Sequence, residues 1–160
     1  MRSIGSTRRE KLDPYLAHQL GHHPMAEPRV QERLKRYQVY QPEVDLSQPS
    51  RTSHAEYWYH LHIVFVNGER YMEIRDELLA GLREMILRAS FSKGHRLSRA
   101  AIFPDHLHLT LGCRLEESPE EVVLAYMNNL AYVHGMKPAF RFSYYVGTFS
   151  EYDLGVIPRP

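Results

Sequence analysis

Two histidine pairs at i, i+2 spacing are the residues of this 160-residue chain best suited to chemistry: His60-Leu61-His62 and His106-Leu107-His108. In an extended strand such a pair leaves one face roughly 6.5 to 7 Å apart, and one divalent ion can bridge two imidazole nitrogens at about 2 Å each. Each pair is a half-site that needs a third ligand, usually a carboxylate or amide, from elsewhere. Spacing alone leaves a plainer reading open, surface imidazoles that hold no ion. His106 and His108 are the expected metal pair. His60 and His62 are read as support, through a hydrogen bond behind a ligand or a contact with a polar group. His18, His22 and His23 fall among polar residues and are read as solvated, and His95 as a loop residue.

A second candidate lies in the run Arg88 to Arg99 (RASFSKGHRLSR), where Lys93, Arg96 and Arg99 accompany Phe91 and His95. Cations interleaved with rings can hold phosphates and stack a base, so these three are the expected DNA-binding residues; a solvated loop is the alternative. The whole chain gives no such hint, with 20 Lys and Arg against 19 Asp and Glu. Any nucleic-acid binding must therefore come from a local patch.

The elements that position these residues follow from periodicity. From Tyr57 to Val66 and again from Leu97 to Arg114 the pattern has period two, with Leu107, Leu109 and Leu111 on one side and His106, His108 and Thr110 on the other. Those are strands. Between them Ile74, Leu78, Leu82, Met85, Ile86 and Ala89 recur at three- and four-residue spacing, which predicts a helix over Tyr71 to Ala89, followed by a loop from Phe91 to Arg96. Ser118-Pro119-Glu120-Glu121 reads as a capping box opening a second helix that stops at Gly135. Ala139 to Phe149 is rich in aromatic and β-preferring residues and reads as one or two strands. The order β-α-β(β)-α-β predicts an α+β domain, a ferredoxin-like antiparallel sheet of four or five strands with two helices on one face. If both helices cover the leucine face, the histidines lie on the open one.

Residues 1–54 scatter proline among polar and charged groups and carry few aliphatic side chains, so they read as a polar, flexible extension to a body at 55–160, with a helical turn or two near Val30 to Tyr37. The lone Cys113 excludes an internal disulfide framework. The first residues lack the apolar run of a secretion signal, and no stretch reaches the ~18 apolar residues that span a bilayer. No membrane association and a cytoplasmic address are expected.

The run FPDHLHLTLG (Phe103 to Gly112) resembles the "MPNHVHLL" signature of the HUH endonucleases, specifically the insertion sequence 200 type tyrosine transposases and their REP-associated relatives. The earlier YHLHIVFV is similar to their first strand, and SYYVGTFSEYDLGVI to the "YFVGTVG" segment that leads into their catalytic helix. The resemblance spans about Tyr57 to Ile157. It implies that His106 and His108 hold Mg²⁺ or Mn²⁺ against a scissile phosphate and that a tyrosine forms a 5′-phosphotyrosine link. It further implies hairpin-forming single-stranded DNA as substrate and a homodimer as the working form. An exposed apolar edge along Phe140 to Phe149 also favours a dimer. The family's nucleophile lies on a helix beyond that strand, whereas here Pro158 and Pro160 interrupt helix formation and Tyr152 is the last tyrosine. The match to the family breaks here: either Tyr152 takes the nucleophile's role from a shorter element, with Glu151 or Asp153 beside it to supply the missing ligand, or the terminus is truncated or degenerate and cleavage is lost.

Two other readings use the same letters. A decayed or domesticated domain could bind DNA hairpins without cutting. His108-Leu109-Thr110 also matches one element of the two-histidine phosphoesterases, but the second His-x-Thr/Ser that they need is missing: His60-Leu61-His62 and His62-Ile63-Val64 both fail at the third position.

Overall fold

The computed structural model describes residues 7–8, 11–12, 14–16, 18, 27–137 and 139–150. Along the chain the elements are β1 (Thr7–Arg8), α1 (Pro28–Lys35), β2 (Val39–Tyr40), β3 (Ser50–Arg51), β4 (Glu56–Tyr57), β5 (His60–Asn67), α2 (Asp76–Lys93), β6 (Arg96–Ile102), β7 (His106–Gly112), α3 (Pro119–Val133) and β8 (Phe140–Ser150). The main sheet runs β1-β8-β5-β7-β6-β2, while β3 and β4 pair as a separate ribbon. Its four long strands are antiparallel throughout, each histidine strand pairing with the other and with one outer strand. This is the expected ferredoxin-like arrangement, with both histidine strands at its centre.

Alternation sets the two faces. Leu61, Ile63 and Phe65 of β5 and Leu107, Leu109 and Leu111 of β7 are at most 1% exposed. They pack with Leu79, Leu82 and Ile86 of α2 and Val122, Tyr126 and Leu130 of α3. Burying each such side chain stabilises by about 1.5 to 3 kcal/mol, so this layer dominates the fold. β6 keeps its faces aligned through a bulge: Leu97 pairs with Leu111 but Arg99 with Thr110, which leaves Ser98 as the extra residue.

The helices follow their end signals more closely than their periodicity. α3 opens at the Ser118 capping box, where Ser118 Oγ accepts from the Glu121 backbone N–H and the Glu121 carboxylate accepts from Ser118 N–H. α2 begins at Asp76 rather than near Tyr71, because Glu73 N–H donates to Pro104 O and holds that stretch against the β6–β7 turn. It continues through the expected loop to Lys93 and stops at Gly94, whose φ of 68° is a left-handed cap that glycine adopts without strain.

The N-terminal region differs most from expectation. Leu34, Tyr37 and Val39 join the main core. Next to Val39, Gln38 uses its side-chain amide as a substitute strand, donating to Ile102 O and accepting from Ile102 N–H. On the other face of the sheet Leu12, Leu16, Leu46 and Phe149 form a second apolar cluster, all four no more than 6% exposed. The described part of the region expected to be a loose extension is thus docked on both faces.

Candidate functional site

The turn joining β6 to β7 positions the first histidine. Phe103 N–H donates to His106 O, leaving Pro104 and Asp105 at the corner. Asn67, at the end of β5, clamps this corner: its amide nitrogen donates to Pro104 O at 2.7 Å, and its backbone N–H donates to Asp105 O at 2.8 Å. With the corner fixed, His106 Nδ1 donates to Asp105 Oδ1 at 2.6 Å, and its ring stacks on Phe103 with centroids 4.8 Å apart. A carboxylate on Nδ1 sets the tautomer and aims Nε2 as a ligand, the usual second partner of a metal-binding imidazole.

His108 is held from the neighbouring strand. Its Nδ1 lies 2.9 Å from His62 Nε2, and the two rings stack at 5.2 Å. Burial pushes the His62 pKa down to about 4, so near neutral pH that ring is uncharged and the contact holds a single proton. If His108 donates it, the lone pair stands on His108 Nε2, and ligation by both metal-strand histidines falls to their Nε2 atoms. The His106 and His108 rings meet nearly edge-on with centroids 5.1 Å apart. Tyr145 of β8 packs edge-on against His62, and His60 lies beside Phe149.

This donor chemistry suits a divalent ion as a two-nitrogen half-site. Among the described residues no three His, Cys, Asp or Glu side chains are grouped to hold a metal. Tyr152, Glu151 and Asp153, the candidates for nucleophile and third ligand, lie outside the described residues.

The expectation of an open histidine face is corrected. His106 and His108 are each 6% exposed and His62 is 9%. Tyr15 stands edge-on to His108 at 6.3 Å, and the second apolar cluster lies on the same face toward the His60 end, with Phe149 beside His60; His106 packs against Phe103, Asp105 and His108. Leu46 seats against Gly112, where an added Cβ would come within 3.1 Å of the leucine and 3.2 Å of Arg96 Cβ.

The three basic candidates do not gather at the histidine pair. Lys93 and Arg96 lie at the Gly112 end of β7, since Arg96 pairs with Gly112. His106 is six residues away along that strand, about 20 Å. Arg96 is engaged locally: its guanidinium donates to Asp45 O and to Ser50 Oγ at 3.0 Å, clamping the segment that carries Leu46. Arg99 is nearer, opposite Thr110, and lies over the Tyr40 ring at 4.0 Å.

Several positions escaped sequence reasoning. Asp105 and Asn67 build the His106 corner, and only their closeness to the histidine motif and to an Asn-Gly turn hinted at it. His95 lies in the expected loop between α2 and β6, but it is buried, with Nε2 2.7 Å from Glu117 Oε2 and Nδ1 3.1 Å from Tyr126 Oη. That network ties the start of β6 to α3, on the helix side of the sheet.

No described helix is long and apolar enough to cross a membrane. No curated protein is similar enough to the chain to count as a match. At the level of fold, a crystal structure from Deinococcus radiodurans R1, described as that of a candidate transposase, matches with a TM-score of 0.56 at 21% identity, over 64% of this chain and 88% of that one. The sequence family described as "Transposase IS200 like" matches residues 55–157, which include both histidine strands, both long helices and β8. The chain belongs to the IS200-like transposase family.

Proposed function

We propose that this protein cuts and rejoins single-stranded DNA, with hairpin-forming strands as substrate, through a metal-assisted phosphotyrosine intermediate and as a homodimer. Family membership supports a transposase role. The observation that carries the finer reading is the pair of oriented imidazoles, His106 backed by Asp105 and His108 backed by His62. Mg²⁺ or Mn²⁺ held by Nε2 of both rings would supply Lewis acidity toward a phosphate oxygen. Asp105 and His62 keep the two rings in the ligating tautomer and in a fixed orientation, which lowers the cost of ordering the site. In the chemical step the Tyr152 hydroxyl oxygen bonds to phosphorus and the P–O3′ bond breaks. The electron pair leaves on the 3′ oxygen, which ends as a 3′-hydroxyl, and the tyrosine proton passes to solvent. Glu151 or Asp153 would complete the ligand set, and Lys93, Arg96 and Arg99 would contact phosphates, Arg99 with the least rearrangement.

The test is incubation with a single-stranded hairpin oligonucleotide and Mn²⁺, followed by denaturing electrophoresis. A covalent protein–DNA adduct is expected in wild type and absent in Tyr152→Phe and in His106→Ala/His108→Ala. An adduct that survives Tyr152→Phe moves the nucleophile elsewhere. The burial of the histidine face favours a second reading, a hairpin-binding domain that does not cut, for which the same assay gives a shifted complex and no adduct. Sedimentation at micromolar concentration checks the dimer, against a monomer at the 18.8 kDa chain mass.

A further inference from the structure

Nothing in a transposition reaction calls for leucines over the metal-binding face, yet Leu12 and Leu16 are 3% and 6% exposed there, packed with Leu46 and Phe149. Tyr15, on the same short stretch and half exposed, presents its ring to His108. Among the described residues the stretch is tethered at one side by β1, which pairs with β8 at Thr7–Phe149 and Arg8–Ser150, two residues before the position of Tyr152. A DNA strand whose phosphate reaches His106 and His108 must occupy the space above these histidines, which the Tyr15 ring borders at His108. Both cannot be accommodated at once.

We infer that the segment bearing Thr7, Arg8, Leu12, Tyr15 and Leu16 is a displaceable cover over the histidine face, and that single-stranded DNA competes with it for that face. Among the described residues the attachment consists of a two-residue strand pairing and a cluster of four buried apolar side chains outside the main core, and such satellite units open locally without global unfolding. At the β2–β6 edge of the sheet a cavity of about 190 Å³ lies beside Leu16, bounded by Val39, Ala100 and Ala101. The floor, in contrast, is fixed, because Arg96 clamps the segment of Leu46 and Gly112 leaves room for it. The contact is therefore mobile on one side only, as competition with a ligand requires. Its action would be to lower apparent DNA affinity by the fraction of molecules that are closed. The inference that DNA is the competitor rests on the function proposed above; the existence of the cover does not.

Carbethoxylation of histidines, followed residue by residue by mass spectrometry, separates the two. In wild type, His108 should react at least about tenfold more slowly than exposed His54, and Leu12→Asp/Leu16→Asp should narrow that gap about tenfold, equivalent to about 1.4 kcal/mol of lost closure. Buried Cys113, in the main core, must stay shielded from a thiol reagent in that variant; if it does not, Tyr15→Ala, which removes the ring contact with His108, carries the test. A wild-type His108 as reactive as His54, or protection that persists in the variants, would overturn the cover. Adding hairpin-forming single-stranded DNA to wild type should raise amide exchange at Thr7, Arg8, Leu12, Tyr15 and Leu16. DNA that binds without changing that exchange overturns the competition, and DNA that fails to bind both wild type and variant overturns the proposed function while leaving the protection result to decide the cover.

Discussion

His62 and His108 meet diagonally across β5 and β7: His62 pairs in register with Thr110 and His108 with Val64, yet Nε2 of one and Nδ1 of the other are 2.9 Å apart. Diagonal neighbours in an antiparallel pair stay within reach of ring side chains, so the contact costs the strands no distortion. It also makes His62 a positioning residue for the proposed ligand.

His62→Leu removes the acceptor while keeping an apolar ring-sized neighbour, and should weaken Mn²⁺ binding about 10- to 100-fold, the usual effect of losing a second partner. His62→Gln keeps an acceptor oxygen and should recover most of the affinity. Calorimetric titration of the three proteins decides, and equal affinity in His62→Leu and wild type would remove the role.

Because His106 and His108 are buried among Phe103, Tyr15 and His62, replacing both with alanine should cost stability, about 1 to 3 kcal/mol, as well as metal binding. On an open face the same change would have cost little. A urea midpoint unchanged from wild type would show that the cover packs less tightly on them than the structure indicates.

Glu73 is 1% exposed and paired with Arg75 through two oxygens, which hold its carboxyl below the ordinary glutamate range. A depressed folded-state pKa contributes stability that is present at neutral pH and lost as pH falls through the carboxylate range. Glu73→Gln should therefore be less stable at pH 7, by about 1 kcal/mol given that Arg75 is itself half exposed, and the difference should be smaller at pH 3. Denaturant titrations at the two pH values check this; a gap that stays constant would assign the effect to packing.

Gly112→Ala places a methyl group 3.1 Å from Leu46 Cδ2 and 3.2 Å from Arg96 Cβ. The leucine can turn away but the arginine stem is part of β6, so a loss of about 1 kcal/mol is expected, together with faster exchange of the Asp45–Leu46 amides. Undisturbed exchange there would mean that Leu46 is not seated on this glycine.

What could be read from residues alone depended on the range of the forces involved. The capping box at Ser118 and the alternation of β5 and β7 are local, and both were legible. The stop at Gly94 is local too, but the polar run before it, Ser90-Phe91-Ser92-Lys93, carries no apolar period, so the last turn of α2 was not evident. The covering of the histidine face was illegible for a different reason. Leu12, Leu16 and Leu46 lie in stretches broken by proline and polar residues, and their partner Phe149 is over 100 positions further along. Arg96 likewise spends its charge on groups about 50 residues upstream, a local engagement in space that made it look like a phosphate contact in sequence.

The bulge at Ser98 bears on how this strand can change length over generations. Since Ser98 is the extra residue, deleting it would restore strict alternation from Leu97 to Ile102, with Ala100 and Ile102 still facing the helices and Ala101 still facing His108. The main core would survive a one-codon loss that would turn an ordinary strand inside out. What would go is the carbonyl of Ser98, which accepts from Gln41 N–H at 3.0 Å and anchors the chain just before Leu46. A lineage could thus discard the anchoring of the floor beneath the N-terminal segment in a single step while keeping its sheet.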